Sequence, residues 1–370
     1  MSSIIFIPLL TFTLCSYMYL EDMYNIKRFH FFAYICLVFF SFIIGVRVNF
    51  GNDQVTYLYC YVHQKLELFE PLFTWINEFL YSINAPYQWL FIIVSFIEFY
   101  FLERTVIVNK LSWFFVLFFF FIFDYFAFSV NGLRQAIAIY ITLYSFKFFY
   151  DKKYFQWFIL TLLACGFHKS AVILILICPF SKIMRFSKNR IVLFLHFIPL
   201  IIALIFYNQI WDFILLFLNS LSSILPKQFL LLINAFSVWK IELGSGLGVK
   251  MQLLGYICML PKCMQIAKND KYMTFIFYIF YFGILGKYLS GQNMNLSRIF
   301  FNMTSAGLIL FPNAITSIKK NAILQMKNLL FILGICIFCL LYIYNSYKGI
   351  NSKPPTPYVW DLDFSFKNSW

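Results

Sequence analysis

The sequence predicts an all-α polytopic membrane protein with about 10–12 transmembrane helices, including a short re-entrant pair, and with interfacial helices in long outer loops. Three observations carry this expectation. Residues AVILMFWYC make up 62% of the 370 residues and charged residues only 12%, with a mean hydropathy of +0.78. A soluble domain carries about 25% charged residues. Apolar runs near the roughly 20 residues that cross a bilayer recur along the chain, and Lys and Arg gather in short loops on one side of the implied topology.

The first run, 4–20, lacks a basic n-region and a small-residue cleavage site, so it reads as a retained span and not a signal peptide. Further spans are expected over 29–46, 87–106, 112–130, 133–150, 190–207, 249–267, 272–290, 299–318 and 328–346. After Glu70-Pro71, a sound helix opening, Leu72, Phe73, Trp75, Ile76, Phe79, Leu80 and Ile83 recur at three- and four-residue spacing. This predicts a helix lying on the membrane surface. The stretch 154–180 is too long for one span and is interrupted at Gly166-Phe167-His168-Lys169-Ser170, while Lys152/Lys153 and Lys182/Arg185/Lys188/Arg190 flank it. Two basic flanks place both ends in the cytoplasm, so the stretch reads as two short helices that enter and return. Backbone outside a helix is tolerated at membrane depth only where it lines a cavity or is buried in protein. Residues 210–225, interrupted by Trp211, Asp212, Asn219 and Ser220, read as an interfacial helix. The chain thus reads as one membrane domain, 1–346, with outer loops 47–86 and 208–248 and an outer tail, 347–370.

With this topology 17 of the 29 Lys and Arg residues lie in short cytoplasmic segments. The formal charge of +14 is therefore an orientation signal, and without a basic cluster wide enough for several phosphates nucleic acid is not a partner. The nine Cys fall largely inside apolar spans and lack metal-ligand spacing.

Polar residues near or inside spans are the functional candidates, because lipid makes them costly. Four groups converge on the outer face: Arg47, Asn49, Gly51, Asp53, Tyr57 and Tyr61; Asn131, Gly132, Arg134 and Gln135; His168, Lys169 and Ser170; and Gln292, Asn293, Asn295 and Arg298. Arginine pairs bidentately with phosphate oxygens and stays charged in a partly dry site. Two or three arginines suit a pyrophosphate, and N–H groups opening a helix near His168 and Ser170 favour an anion too. His168 is placed to take a proton from a hydroxyl, with Asp53 as the other base. Tyr57, Tyr59 and Tyr61 offer sugar-facing surfaces. Arg47 and Lys287 also suit plain snorkelling at span ends. Glu98 and Asp124 read as acids paired with a cation of a neighbouring span. Asp361-Leu362-Asp363 resembles a metal-binding DxD, but three residues in a tail are thin support, and no other tight acidic cluster exists. A reaction without metal or cofactor is expected.

The run Arg47-x-Asn49-x-Gly51-x-Asp53-x-x-x-Tyr57, then Glu70-Pro71-Leu72-Phe73, Asn131-x-Leu133-Arg134-Gln135-x-Ile137-Ala138 and Phe167-His168-Lys169-Ser170-Ala171, resembles the EpsG-like branch of Wzy polysaccharide polymerases. The resemblance covers roughly 40–180 and, more loosely, the Arg298 segment. It implies an inner-membrane glycosyltransferase at the periplasmic face. Such enzymes move a growing O-antigen or exopolysaccharide from undecaprenyl pyrophosphate onto the non-reducing end of a new lipid-linked repeat unit. A flippase and a chain-length regulator are the implied partners. On this reading Arg134 and Arg298 clamp the donor pyrophosphate with Arg47 assisting, His168 is the base, and Asp53 orients the acceptor or replaces it. Gln135, Lys169, Ser170, Tyr57 and Asn131 bind substrate. A lipid-linked oligosaccharide flippase, a membrane acyltransferase and an O-antigen ligase are the rival readings.

Overall fold

The computed structural model describes residues 38–48, 53–67, 69–186, 194–206, 246–290, 294–319, 322–352 and 359–360, with single positions between 209 and 220. The expected span 4–20, the start of 29–46, most of 210–225, the candidates Asn49, Gly51, Gln292 and Asn293, and Asp361-Leu362-Asp363 lie outside them. What is described is an all-α polytopic membrane protein. It falls into two compact units, one running to Ile175 and resuming at Tyr342, the other from Leu176 to Leu341.

The first unit opens with helical residues 38–45 and a two-residue strand, β1 (Arg47–Val48). Five helices follow: α1 (Gln54–His63), α2 (Pro71–Ser82), α3 (Gln88–Asn109), α4 (Trp113–Ile122) and α5 (Tyr125–Asn131). Then come α6 (Leu133–Tyr150), α7 (Tyr154–Phe167) and a 3-10 turn over Lys169–Ile173. Helix α6, apolar between Arg134 and Gln135 at its start and Lys147 near its end, is buried over most of its length between α3 and α7. The α2 helix starts where Glu70-Pro71 predicts: Glu70 is extended and Pro71 takes the first helical position, where its missing N–H costs nothing. Its apolar residues divide between two faces. Phe73, Ile76 and Leu80 join the core with Tyr57, Tyr61, Leu133 and Ala164, while Trp75, Phe79 and Ile83 stay exposed. The outward set is the face available to a bilayer surface. Gly166 lets α7 lie against α2, since a Cβ there would meet Leu72 Cδ1 at 2.6 Å.

The expected span 112–130 is two helices, α4 and α5, turned by 69°. Asp124 makes the turn in a left-handed conformation, φ 60, which Asp tolerates better than most residues. At the far end of the chain β2 (Val359–Trp360) pairs antiparallel with β1, Arg47 opposite Trp360, so this part of the tail is held to the start of the outer loop.

Helix α8 (Leu174–Ile183) leads into the second unit, which holds α9 (Phe197–Ile205), α10 (Leu247–Asn269), α11 (Lys271–Leu289), α12 (Met294–Thr304), α13 (Gly307–Thr316) and most of α14 (Met326–Ser352). Helices α10 and α11 form a hairpin around Asp270, whose carboxylate accepts from Tyr272 N at 2.6 Å and Met273 N at 3.1 Å. This caps two otherwise orphaned donors. Asp270→Ala is expected to cost about 1 kcal/mol, read as a lower unfolding temperature of the purified protein with no change in insertion. Gly283 brings α11 against the backbone of α12; a Cβ there would lie 2.6 Å from Thr304 N. Small residues serve such close helix contacts in membranes.

By length and composition, three helical segments among the described residues can cross a bilayer: Lys271–Leu289, Ser297–Thr316 and Met326–Asn345, or four with the bent α4–α5 pair. Helices α3 and α10 are also long enough, but Glu98, Glu103 and Arg104 interrupt the one and Lys250, Lys262 and Lys268 the other. The expected 10–12 spans therefore rest partly on helices that are shorter or more polar than a plain span. The α14 window is only 28% buried, against 67% for the other two, which makes it the most lipid-facing of the three.

Candidate active site

Three chain segments that are far apart in sequence meet at one carboxylate. Helix α6 begins directly after Gly132, which places Arg134 in its first turn. Glu70 precedes α2, and its side chain makes no capping bond to that helix. It reaches sideways, where Oε2 accepts from Arg134 Nη1 at 2.5 Å and Oε1 accepts from the backbone N–H of Lys169 at 3.4 Å. The side chains of Arg134 and Glu70 are 22% and 12% exposed, so the pair is half sheltered yet open to solvent. The guanidinium lies over the Phe69 ring, 4.5 Å from its centroid. Tyr57 is buried beside it; burial pushes the phenol pKa up, the Arg134 charge opposes this, and the Asp53 charge adds to it. Asp53 precedes α1 and makes no side-chain capping bond there.

The break after α7 is formed by His168, with extended backbone at φ −158. Its Nδ1 accepts from Ser170 N at 3.3 Å and lies 2.7 Å from Ser170 Oγ. A backbone N–H can only donate, so Nδ1 carries a lone pair and a neutral His168 holds its proton on Nε2. The N–H groups that open the turn are thus engaged, Lys169 with Glu70, Ser170 with His168, and Ala171 with the His168 carbonyl at 3.1 Å. The anion expected there is already present, as part of the chain.

A family model described as the EpsG family matches residues 30–360. The chain belongs to the EpsG family. Neither curated proteins nor solved structures provided a match. EpsG membership supports a membrane polymerase role of the polysaccharide type.

In this EpsG-family chain the sequence candidates fare differently. Arg134 and the Lys169 N–H meet at Glu70, Tyr57 lies beside Arg134 with the Asp53 charge acting on it, and His168 and Ser170, flanking Lys169, bond to each other. Gln135, next to Arg134, is buried at 4% exposure. Asn131 donates to the Ala127 carbonyl at 2.9 Å and finishes α5. Arg298 lies in α12 of the second unit, half-buried.

Two expectations need correction. Arg47 is 0% exposed; it donates to the carbonyls of Ile44 at 2.7 Å and Val130 at 3.0 Å and lies over the Phe91 ring. A guanidinium spent on backbone carbonyls inside the core is a brace between chain segments, and neither snorkels nor clamps a pyrophosphate. Its charge also acts on the buried Glu98, one of whose carboxylate oxygens has no hydrogen-bond partner among the described residues. Tyr61 also faces inward, donating to the Ala85 carbonyl at 2.6 Å, with burial pushing its pKa up to about 12. Of the three tyrosines only Tyr59 is exposed, and its hydroxyl accepts from Lys65 Nζ.

Glu70 is the participant that residue-type reasoning passed over. It reads as the acid of a helix opening, and the available signal was its failure to be needed there: with Pro71 at the first position, the helix has one donor fewer to cap.

Proposed function

We propose that the chain polymerises O-antigen or exopolysaccharide repeat units at the periplasmic face of the inner membrane. The growing glycan leaves undecaprenyl pyrophosphate and joins the non-reducing end of a new lipid-linked repeat, delivered by a flippase and measured by a chain-length regulator. The observation that carries this reading is the Arg134 guanidinium, half sheltered, lying over the Phe69 ring and already bound to an anion. The acceptor hydroxyl oxygen bonds to the anomeric carbon as the bond from that carbon to pyrophosphate oxygen breaks. The electron pair goes to the pyrophosphate, where Arg134 neutralises it. The hydroxyl proton goes to Asp53, whose carboxylate is not spent on capping α1. His168 is moved from base to donor: its Nδ1 lone pair is occupied by Ser170, and Nε2–H is what it offers to developing negative charge. Asn131 and the Lys169 side chain are the groups left to meet sugars, Gln135 being buried.

His168→Asn tests this division of labour. An asparagine carbonyl can accept from Ser170 N and keep the turn, while the Nε2–H is lost. Single repeats with about 10²-fold less polymer in a cell-based ladder assay are expected, with normal insertion. A full ladder from this variant would remove His168 from the site.

A further inference from the structure

We infer that the Glu70 carboxylate occupies the seat of the donor's pyrophosphate and gives it up when the lipid-linked donor arrives. This deepens the polymerase reading above and rests on it. A carboxylate and a phosphate present the same feature to arginine, a pair of anionic oxygens matched to its N–H fork. Here the two carboxylate oxygens bridge donors from separate elements, Arg134 Nη1 of α6 and the Lys169 N–H of the break after α7. The carboxylate is not needed where it is attached, since it makes no capping bond to α2. Its departure therefore leaves that helix intact. Arg134 has other neighbours besides Glu70: its guanidinium lies over the Phe69 ring, 4.5 Å from the centroid, and the buried Tyr57 is beside it. Both members of the pair reach solvent, so a ligand can approach without the core opening.

The exchange has a chemical consequence. An arginine left open would accept any phosphate. One already bound to a carboxylate is weakened by the same factor toward every competing anion, so at low concentration only a ligand that grips arginine strongly, as a pyrophosphate does with its greater charge and more acceptor oxygens, fills the seat. The seat thus favours the diphosphate-linked donor over lipid monophosphates.

The test is binding of inorganic pyrophosphate and of inorganic phosphate to the purified full chain by calorimetry. Glu70→Gln is expected to bind pyrophosphate about ten-fold tighter or more than the wild type, since a competing charge-assisted bond is removed, and to tighten phosphate by a similar factor. Glu70→Asp, too short to bridge both donors, should also bind tighter, which covers the case in which the glutamine variant fails to fold. Arg134→Gln should bind neither anion. Glu67→Gln, which removes an exposed acid three residues away, separates occupancy from general charge. Equal tightening by Glu67→Gln and Glu70→Gln overturns the inference, as does unchanged or weaker binding in Glu70→Gln. If the wild type makes no polymer from lipid-linked repeats while Glu70→Gln still binds pyrophosphate tighter, the polymerase reading fails and the seat stands. Polymer synthesis by the wild type with unchanged binding in Glu70→Gln keeps the polymerase reading and removes the seat.

Discussion

Cells that carry Arg134→Ala in place of the wild-type chain are expected to show single repeats where the wild type gives a ladder, with polymer reduced about 10²–10³-fold. That is the range for losing one pre-positioned donor to a developing anion. Arg134→Lys should recover little, since an ammonium cannot form the two parallel bonds that a guanidinium makes and packs less well over Phe69. Removing the arginine also strands the Glu70 carboxylate, which is 12% exposed, so the single variant loses some stability together with activity. The double variant Arg134→Ala/Glu70→Gln separates these effects. Its unfolding temperature should return toward the wild-type value while the ladder stays absent. A ladder in either variant would show that Arg134 is not part of the reacting site.

Gly45→Ala is expected to be the most damaging single change to the first unit. A methyl group there would lie 2.2 Å from Ile92 Cγ1, 2.7 Å from its Cα and 2.8 Å from its N. Side chains can rotate away from such a clash, but backbone cannot, so residues 38–45 and α3 must separate. Overpacking costs typically 1–3 kcal/mol, and a clash with backbone falls at about 3 kcal/mol or above. Two residues later Arg47 fastens this segment to the Val130 carbonyl at 3.0 Å, next to the start of α6, and Gln54 Nε2 donates to the Arg47 carbonyl. Displacing the segment therefore disturbs the ground on which Asp53 and Arg134 stand. A sharp fall in folded protein recovered in mild detergent, with polymer lost in proportion, is the expected reading. Full recovery with normal unfolding would show that the segment moves at little cost.

The membrane class was legible because hydropathy is local: each apolar run reports its own need for lipid, whatever its neighbours do. Helix openings were legible for the same reason, and α2 begins at Pro71 and α7 ends at His168 as residue chemistry implies. Of the residues singled out for an anionic lipid donor, Arg134 and the Lys169 backbone meet one carboxylate, with Tyr57 beside Arg134 and His168 and Ser170 bonded to each other on either side of Lys169.

Partnership was not legible. Arg47 and Arg134 read alike in the chain, each at the edge of an apolar run, yet the fold surrounds one with backbone carbonyls and leaves the other half open. Glu70 lies 64 residues from Arg134 and 99 from Lys169, distances over which periodicity carries no information. The role of His168 turned on a single backbone N–H donated to Nδ1, a matter of dihedral angles at the break. The sequence by itself determined that this is an all-α membrane protein with cationic and titratable groups spared from lipid. Only the tertiary structure decided which of those groups are consumed in holding the chain together and which stay partly open, as Arg134 does. Hydrophobicity acts on each segment alone, whereas a hydrogen bond or an ion pair exists only once its second partner has been brought within reach.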